Sequence, residues 1–254
     1  MSTWVLLRGL TRESRHWGSL PERLRAQWPQ APVIALDLPG NGELNTMRSP
    51  TTVRAMADQA RAALRQRGFA PPYHLLAMSL GAMVAISWAV DHPDELAGAV
   101  LINTSAGRAL PFHWRLKPRA WAPLLRIALP GVSAAQRELA VLRLTSHRHA
   151  NALAAPVDWI AYRNTHPVAR RNALRQLLAA LRFTLPRQPP AVPLLVLSGA
   201  RDRLVDPRCS QRLAGLWRCA HAEHPDAGHD LALDDGDWVV RQIEAWQSGS
   251  RAGL

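Results

Sequence analysis

Three residues of this 254-residue chain stand out by type and order: a serine, an aspartate and a histidine. Ser79 lies in Tyr73-His74-Leu75-Leu76-Ala77-Met78-Ser79-Leu80-Gly81-Ala82-Met83-Val84-Ala85, which reads as an apolar strand, a sharp turn and an apolar helix with the serine at the apex. Such a turn exposes a nucleophile. Only small residues fit two positions either side of it, where the backbones nearly touch, and Ala77 and Gly81 meet that demand. A serine hydroxyl is inert alone. It needs a base for its proton, a carboxylate behind the base, and N–H donors for the oxyanion. Asp202 follows the buried-type strand Pro193 to Ser198, in the loop Gly199-Ala200-Arg201-Asp202-Arg203-Leu204-Val205-Asp206-Pro207. His229 follows a last short strand, Cys219 to Glu223, on the glycine-preceded loop Asp226-Ala227-Gly228-His229-Asp230.

Other residues compete for these roles. Asp206 directly precedes Pro207, which suits a helix start, so it reads as an N-cap and Asp202 as the orienting acid. His221 and His224 fall in or beside the strand that precedes the His229 loop and read as structural. Asp37, in Asp-Leu-Pro-Gly, reads as part of a turn.

The elements that must position these residues alternate in kind. Candidate strands run over Trp4 to Arg8, Val33 to Asp37, Tyr73 to Met78, Ala99 to Asn103, Pro193 to Ser198 and Cys219 to Glu223. Helical patterns fall between or after them at Ser19 to Trp28, Val53 to Arg67, Leu80 to Asp91, Pro207 to Trp217 and Trp238 to Gln247. Alternation of this kind predicts an α/β fold, with a mostly parallel sheet of about six strands and helices on both faces.

The chain order Ser79, Asp202, His229, each after a strand, resembles the α/β-hydrolase superfamily over nearly the whole length. Asp37-Leu38-Pro39-Gly40-Asn41-Gly42 resembles its strand-end turn and Arg8-Gly9-Leu10 its oxyanion loop. The resemblance implies a serine hydrolase in which Ser79 attacks, His229 moves the proton, Asp202 holds the imidazole, and the N–H groups of Leu10 and Leu80 receive the oxyanion. It departs from the family at Arg8, where a histidine is usual, and at Ala77, where the first elbow glycine is usual. Arg8 is expected to pair with a nearby backbone or carboxylate group. The antiparallel strands that often open this fold are absent from the pattern. Trp17, near the oxyanion loop, is a candidate for lining a substrate pocket or for packing.

From 104 to 187 the alternation stops, and helical segments broken by Pro111, Pro118, Pro123, Pro130, Pro156 and Pro167 take its place. Residues 1–103 and 188–254 are therefore expected to form the catalytic domain. In the resembling family this slot holds a helical cap that shapes the pocket. The segment carries thirteen arginines and Lys117 against only Glu138 and Asp158, a net of +12, and the remainder is neutral. A coding bias toward arginine explains the choice of arginine over lysine; it does not explain why acids vanish only here. A basic lid would steer anionic partners: an acidic carrier protein bearing an acyl group, an anionic lipid surface, or a small anionic ester. Arg137, Arg143, Arg148, Arg170, Arg171 and Arg175 are the candidates for that role. Nucleic acid ranks low, because no recognised binding motif is present. Pro111 to Arg126 mixes aromatic and basic residues as interfacial segments do, although inward packing of Trp114 and Trp121 is the favoured reading.

The sequence shows no signal peptide and no membrane-length apolar run, so a soluble, cytoplasmic protein is expected. Cys209 and Cys219 suggest no disulfide framework, and no Cys/His cluster has zinc spacing. Neither a metal nor a cofactor is expected. Carboxylic ester hydrolysis is the favoured activity. A Ser-Leu-Gly elbow plus a helical cap is similar to the methyl esterases of biotin synthesis, which act on carrier-bound pimeloyl esters. The same constellation serves thioesterases and acyltransferases, and the fold also serves noncatalytic binding proteins.

Overall fold

The computed structural model describes residues 2–105, 107 and 110–252; Arg108, counted in the charge of the insertion, lies outside them. Six strands occur among the described residues: β1 (Thr3–Leu7), β2 (Val33–Leu36), β3 (Tyr73–Met78), β4 (Leu96–Ile102), β5 (Leu194–Gly199) and β6 (Ala220–His224). They form one all-parallel sheet in the order β2-β1-β3-β4-β5-β6, so the expectation of an α/β fold with about six strands holds. No antiparallel strand precedes β1 among these residues.

Parallel strands covered on both faces need apolar residues on both faces, and β1, β3, β4 and β5 are near-continuous apolar runs for that reason. Alternate residues serve opposite sides. Val5, Leu7, Leu75 and Leu101 pack beneath α2 (Val53–Gln66), α3 (Leu80–Asp91) and α9 (Arg208–Trp217). Trp4, Leu6, Leu76 and Val100 pack beneath α1 (Leu20–Gln27) and α10 (Leu231–Ala252). The start of α10 departs from expectation. It begins at Leu231 and is interrupted at Asp235 (φ −155°, ψ 79°), whose Oδ1 accepts the Trp238 N–H at 2.9 Å and so restarts the helix where the sequence pattern had placed its beginning.

Between β4 and β5 the chain forms α4 (Phe112–Arg115), α5 (Trp121–Ala128), α6 (Ala134–Thr145), α7 (Val157–Thr165) and α8 (Arg170–Arg182). An isolated antiparallel bridge, Gly107 to Thr184, ties the two ends of this helical insertion together.

Candidate active site

Ser79 sits between β3 and α3 at φ +56° and ψ −117°, a left-handed conformation that a non-glycine residue holds only when its surroundings impose it. The neighbours explain how. A Cβ on Gly81 would lie 2.2 Å from the Leu7 carbonyl oxygen, so α3 can start this close to the end of β1 only with glycine there. At Gly9 a Cβ would fall 3.1 Å from the Ser79 Cβ, which places the loop after β1 directly against the serine. Leu80 is the first residue of α3, and its N–H is one of the four that helix geometry leaves without an intrahelical acceptor. Leu10 follows Gly9 in the adjoining loop.

His229 and Asp202 come together as a buried pair, His229 Nδ1 to Asp202 Oδ2 at 2.7 Å, with the residues 3 % and 1 % exposed. The second Asp202 oxygen accepts the N–H groups of Leu204 and Val205 at 2.7 and 2.9 Å, which fixes the carboxylate plane. Three successive residues at the end of β4 tie the serine to the histidine loop. Ile102 accepts the Ser79 N–H at 2.9 Å, the Thr104 hydroxyl donates to the Ser79 carbonyl at 3.0 Å, and the Asn103 amide donates to the His229 carbonyl at 2.8 Å. Through Oδ1, Asn103 also accepts the Gly199 N–H at 3.0 Å, so it binds the strand that carries Asp202 to the loop that carries His229.

Arg8 pairs with a carboxylate, as expected, and the partner is Asp230, next to the candidate base. The contact is bidentate at 2.7 and 3.2 Å and fully buried. Burial alone would raise the Asp230 carboxyl; Arg8 outweighs it, with Arg12 and His229 adding, and holds it below the usual carboxylate range. This ion pair joins the loop after β1 to the loop that carries His229. Trp17, offered as a pocket wall or a packing residue, is 2 % exposed and packs in the core beneath α1 and α10, with the Arg8 guanidinium 4.8 Å from its ring centre.

The competing residues are occupied elsewhere. Asp206 Oδ1 accepts the Arg208 N–H at 3.0 Å at the start of α9. His221 meets the Ser198 hydroxyl at 2.9 Å, and His224 meets Asp235 at 3.3 Å. Asp37 accepts the N–H groups of Ser14 and Glu43 and shapes its turn.

The helical insertion grips all three loops. Gln176 of α8 accepts the N–H of Thr11 at 2.8 Å, where the backbone is left-handed at φ +57°. Glu138 of α6, itself 1 % exposed, accepts Arg12 at 2.5 Å and also Arg163 of α7. Lys117 and Arg119 donate to the Asp202 carbonyl at 2.8 and 3.1 Å, and the Thr145 carbonyl accepts the Asp230 N–H at 2.7 Å. Sequence reasoning missed Asn103, Asp230, Glu138 and Gln176. Their signals are modest: a polar residue directly after a buried strand, an acid beside the candidate base, and polar groups on the arginine-bearing helices α6 and α8. Among the described residues, no group of three or more His, Cys, Asp or Glu side chains is placed to hold a metal.

A doubly covered parallel sheet with a serine at a strained strand-to-helix turn and a buried His–Asp pair at later strand ends is the plan of an α/β hydrolase. The family model of the Alpha/beta hydrolase family matches residues 4–242, and the chain belongs to that family. It is 26 % identical over 248 residues to "Putative carbamate hydrolase RutD" of Klebsiella pneumoniae (strain 342), covering 92 % of this chain and 86 % of that protein. It is 34 % identical over 101 residues to the pimeloyl-[acyl-carrier protein] methyl ester esterase of Neisseria meningitidis, over 40 % of this chain and 36 % of that one. A thermophilic esterase from Thermogutta terrifontis has the same fold, with a TM-score of 0.74 at 23 % identity over 98 % of this chain and 90 % of that one. The relatives support a hydrolytic enzyme of the α/β-hydrolase class.

Proposed function

We propose that the protein is a carboxylic ester hydrolase that works through an acyl-enzyme on Ser79. The observation that carries this reading is the buried 2.7 Å contact of His229 with Asp202, on loops stitched by the end of β4 to a serine held at φ +56°. With its Nδ1–H given to Asp202, the imidazole keeps the Nε2 lone pair for the serine proton. Nε2 takes that proton as the Oγ–carbon bond forms and the carbonyl π pair moves onto oxygen. The N–H groups of Leu10 and Leu80 receive the oxyanion. Its collapse breaks the bond to the alcohol, and the imidazolium returns the proton to the leaving oxygen. Water then attacks the acyl-enzyme with His229 as base, and the same steps release the carboxylate and restore Ser79.

The helical insertion acts as a cap in this reading, since its residues hold the loops that carry Leu10, Asp202 and His229. A carbamate offers the same acyl carbonyl and the same tetrahedral oxyanion, and the name of the near-full-length relative makes it the second substrate class to test.

A fluorophosphonate probe should label Ser79 and abolish turnover of p-nitrophenyl acetate, and Ser79→Ala should neither take up the probe nor turn over the ester. An unlabelled but active protein would overturn the mechanism. A panel of alkyl esters, acyl thioesters and carbamates then ranks the acyl donors.

A further inference from the structure

Helix α8 is built inside out. The residues it turns toward the protein are Asn172, Gln176 and Ala179, at i, i+4 and i+7, and the two amides are consumed in hydrogen bonds to the loops at Asn45, Met47, Ser49 and Thr11. Its leucines face solvent instead: Leu174, Leu177, Leu178 and Leu181, at i, i+3, i+4 and i+7, are all exposed, Leu174 at 66 %. That spacing makes a continuous apolar stripe on one helix face. Other large apolar side chains of the insertion are exposed as well. Arg115 of α4 donates to the Ala180 carbonyl at 2.9 Å, the exposed rings of Phe112 and Trp121 lie 6.0 Å apart, and Leu125, one turn beyond Trp121, is 69 % exposed. Ten of the thirteen exposed large apolar residues among those described fall between 112 and 181, the same segment that carries the +12 charge. Arg171 and Arg182, which flank the stripe on α8, are exposed and have no carboxylate within ion-pair distance among the described residues.

We propose that the leucine stripe of α8, with the arginines that flank it, docks in the plane of an anionic phospholipid bilayer. Leucine side chains entering the acyl boundary with arginines at headgroup level is the composition of interfacial helices. Charge selects the occupant. A second copy would bring another +12 surface against this one, and the repulsion opposes it. A folded acidic partner would need a pocket for each protruding side chain, whereas lipid tails accept protrusions of any outline. The proposal is independent of the hydrolase reading, because binding is measured without turnover.

The test is cosedimentation of the full chain with vesicles of phosphatidylcholine alone and of phosphatidylcholine mixed with phosphatidylglycerol. The expected result is binding to the mixed vesicles at least tenfold tighter than to the neutral ones, weakened by added salt. Leu174→Asp with Leu178→Asp should lose tenfold or more; Arg171→Gln and Arg182→Gln should each lose about fivefold. Melting curves monitor folding of the leucine variant, and the arginine variants test the same surface without touching its apolar part. Equal binding to neutral vesicles, no binding to anionic ones, or wild-type binding by both sets of variants overturns the proposal. So does a concentration-dependent dimer that the leucine substitutions dissolve while vesicles stay unbound.

Discussion

In the sheet half, Leu6, Leu76 and Leu101 are wholly buried, and the arginine that enters the site, Arg8, arrives with its own carboxylate. In the insertion, α8 sends Asn172 and Gln176 inward and its leucines outward, and the acids have been all but removed. Hydrophobic burial holds the first region together, while the second docks through directed polar contacts together with a smaller apolar part, Leu110, Ala179, Phe183 and Leu185. A polar seam has a different use from an apolar one. It fixes the orientation of particular loops, because hydrogen bonds depend on direction while apolar burial does not. Here the fixed loops are those that carry Leu10, Asp202 and His229.

The largest effect that could break this comparison is catalytic. If the chemistry resides in the sheet half, Ser79→Ala and His229→Ala should each lower kcat for a neutral ester by roughly a thousandfold or more, the serine variant with an unchanged melting curve. Asp202→Asn should also be severely impaired and Asp206→Asn should stay active, since Asp206 serves the start of α9. A wild-type rate in Ser79→Ala would remove the chemistry from this site.

The seam comes next. Among the described residues Glu138 is the one carboxylate in ion-pair contact with Arg12 and Arg163, and Glu138→Gln removes the charge from both contacts. Breaking a buried pair in this way costs about 3–5 kcal/mol of stability. Because Arg12 lies two residues after Leu10, kcat should fall with little change in KM. Chemical denaturation and steady-state kinetics check the two halves of this prediction. A variant as stable as the parent would make the seam incidental.

The two regions also differ in what leucine is for. Leu76→Ala, in the fully buried centre of β3, should cost about 2–5 kcal/mol, whereas Leu174→Ala on α8 should stay within about 0.5 kcal/mol of the parent. Comparable losses at both positions would show that the outward face of α8 is packed after all.

How well each region could be read from sequence follows from the same contrast. The sheet was legible because buried parallel strands leave unmixed apolar runs, and Tyr73–Met78 and Leu80–Asp91 fall where the pattern placed them. The candidate site was legible because Ser79, Asp202 and His229 each follow such a run. The seam was not, since a hydrogen bond such as Gln176 to Thr11 spans 165 positions and leaves no local period. The charge of the insertion could be counted but not assigned. Of the six arginines named as steering groups, Arg137, Arg143 and Arg175 donate to backbone carbonyls and Arg148 meets Asp235. Arg170 and Arg171 are the two of that set still exposed without such partners. Inward packing held for Trp114, whose ring lies under the Arg208 guanidinium at 4.2 Å, and failed for Trp121, which turns outward to meet Phe112.

The smallest expected effect concerns acid. His74, on β3 and stacked on Trp4 at 4.7 Å, is held down to about 4 by burial, below its ordinary value of 6.5. The unfolded chain takes up a proton at this histidine near pH 6.5, while the folded chain resists it until about pH 4. Its contribution to stability is therefore complete above pH 6.5 and is lost as the pH falls from there to about 4, by at most about 3 kcal/mol. His16, depressed by burial and by Arg12, adds to the loss in the same direction. Glu95 acts in a lower window. Arg61 leads in holding its carboxyl near 2 against an ordinary 4.5, so its contribution is complete above pH 4.5 and is lost toward pH 2. Denaturation midpoints followed from pH 7.5 to 4.5 should show His74→Gln with a shallower decline than the parent, and Glu95→Gln with an unchanged slope over that range. A His74→Gln slope equal to the parent's would mean that the strand admits the charged imidazole, and that the sheet half is less tightly closed at its Trp4 face than its packing implies.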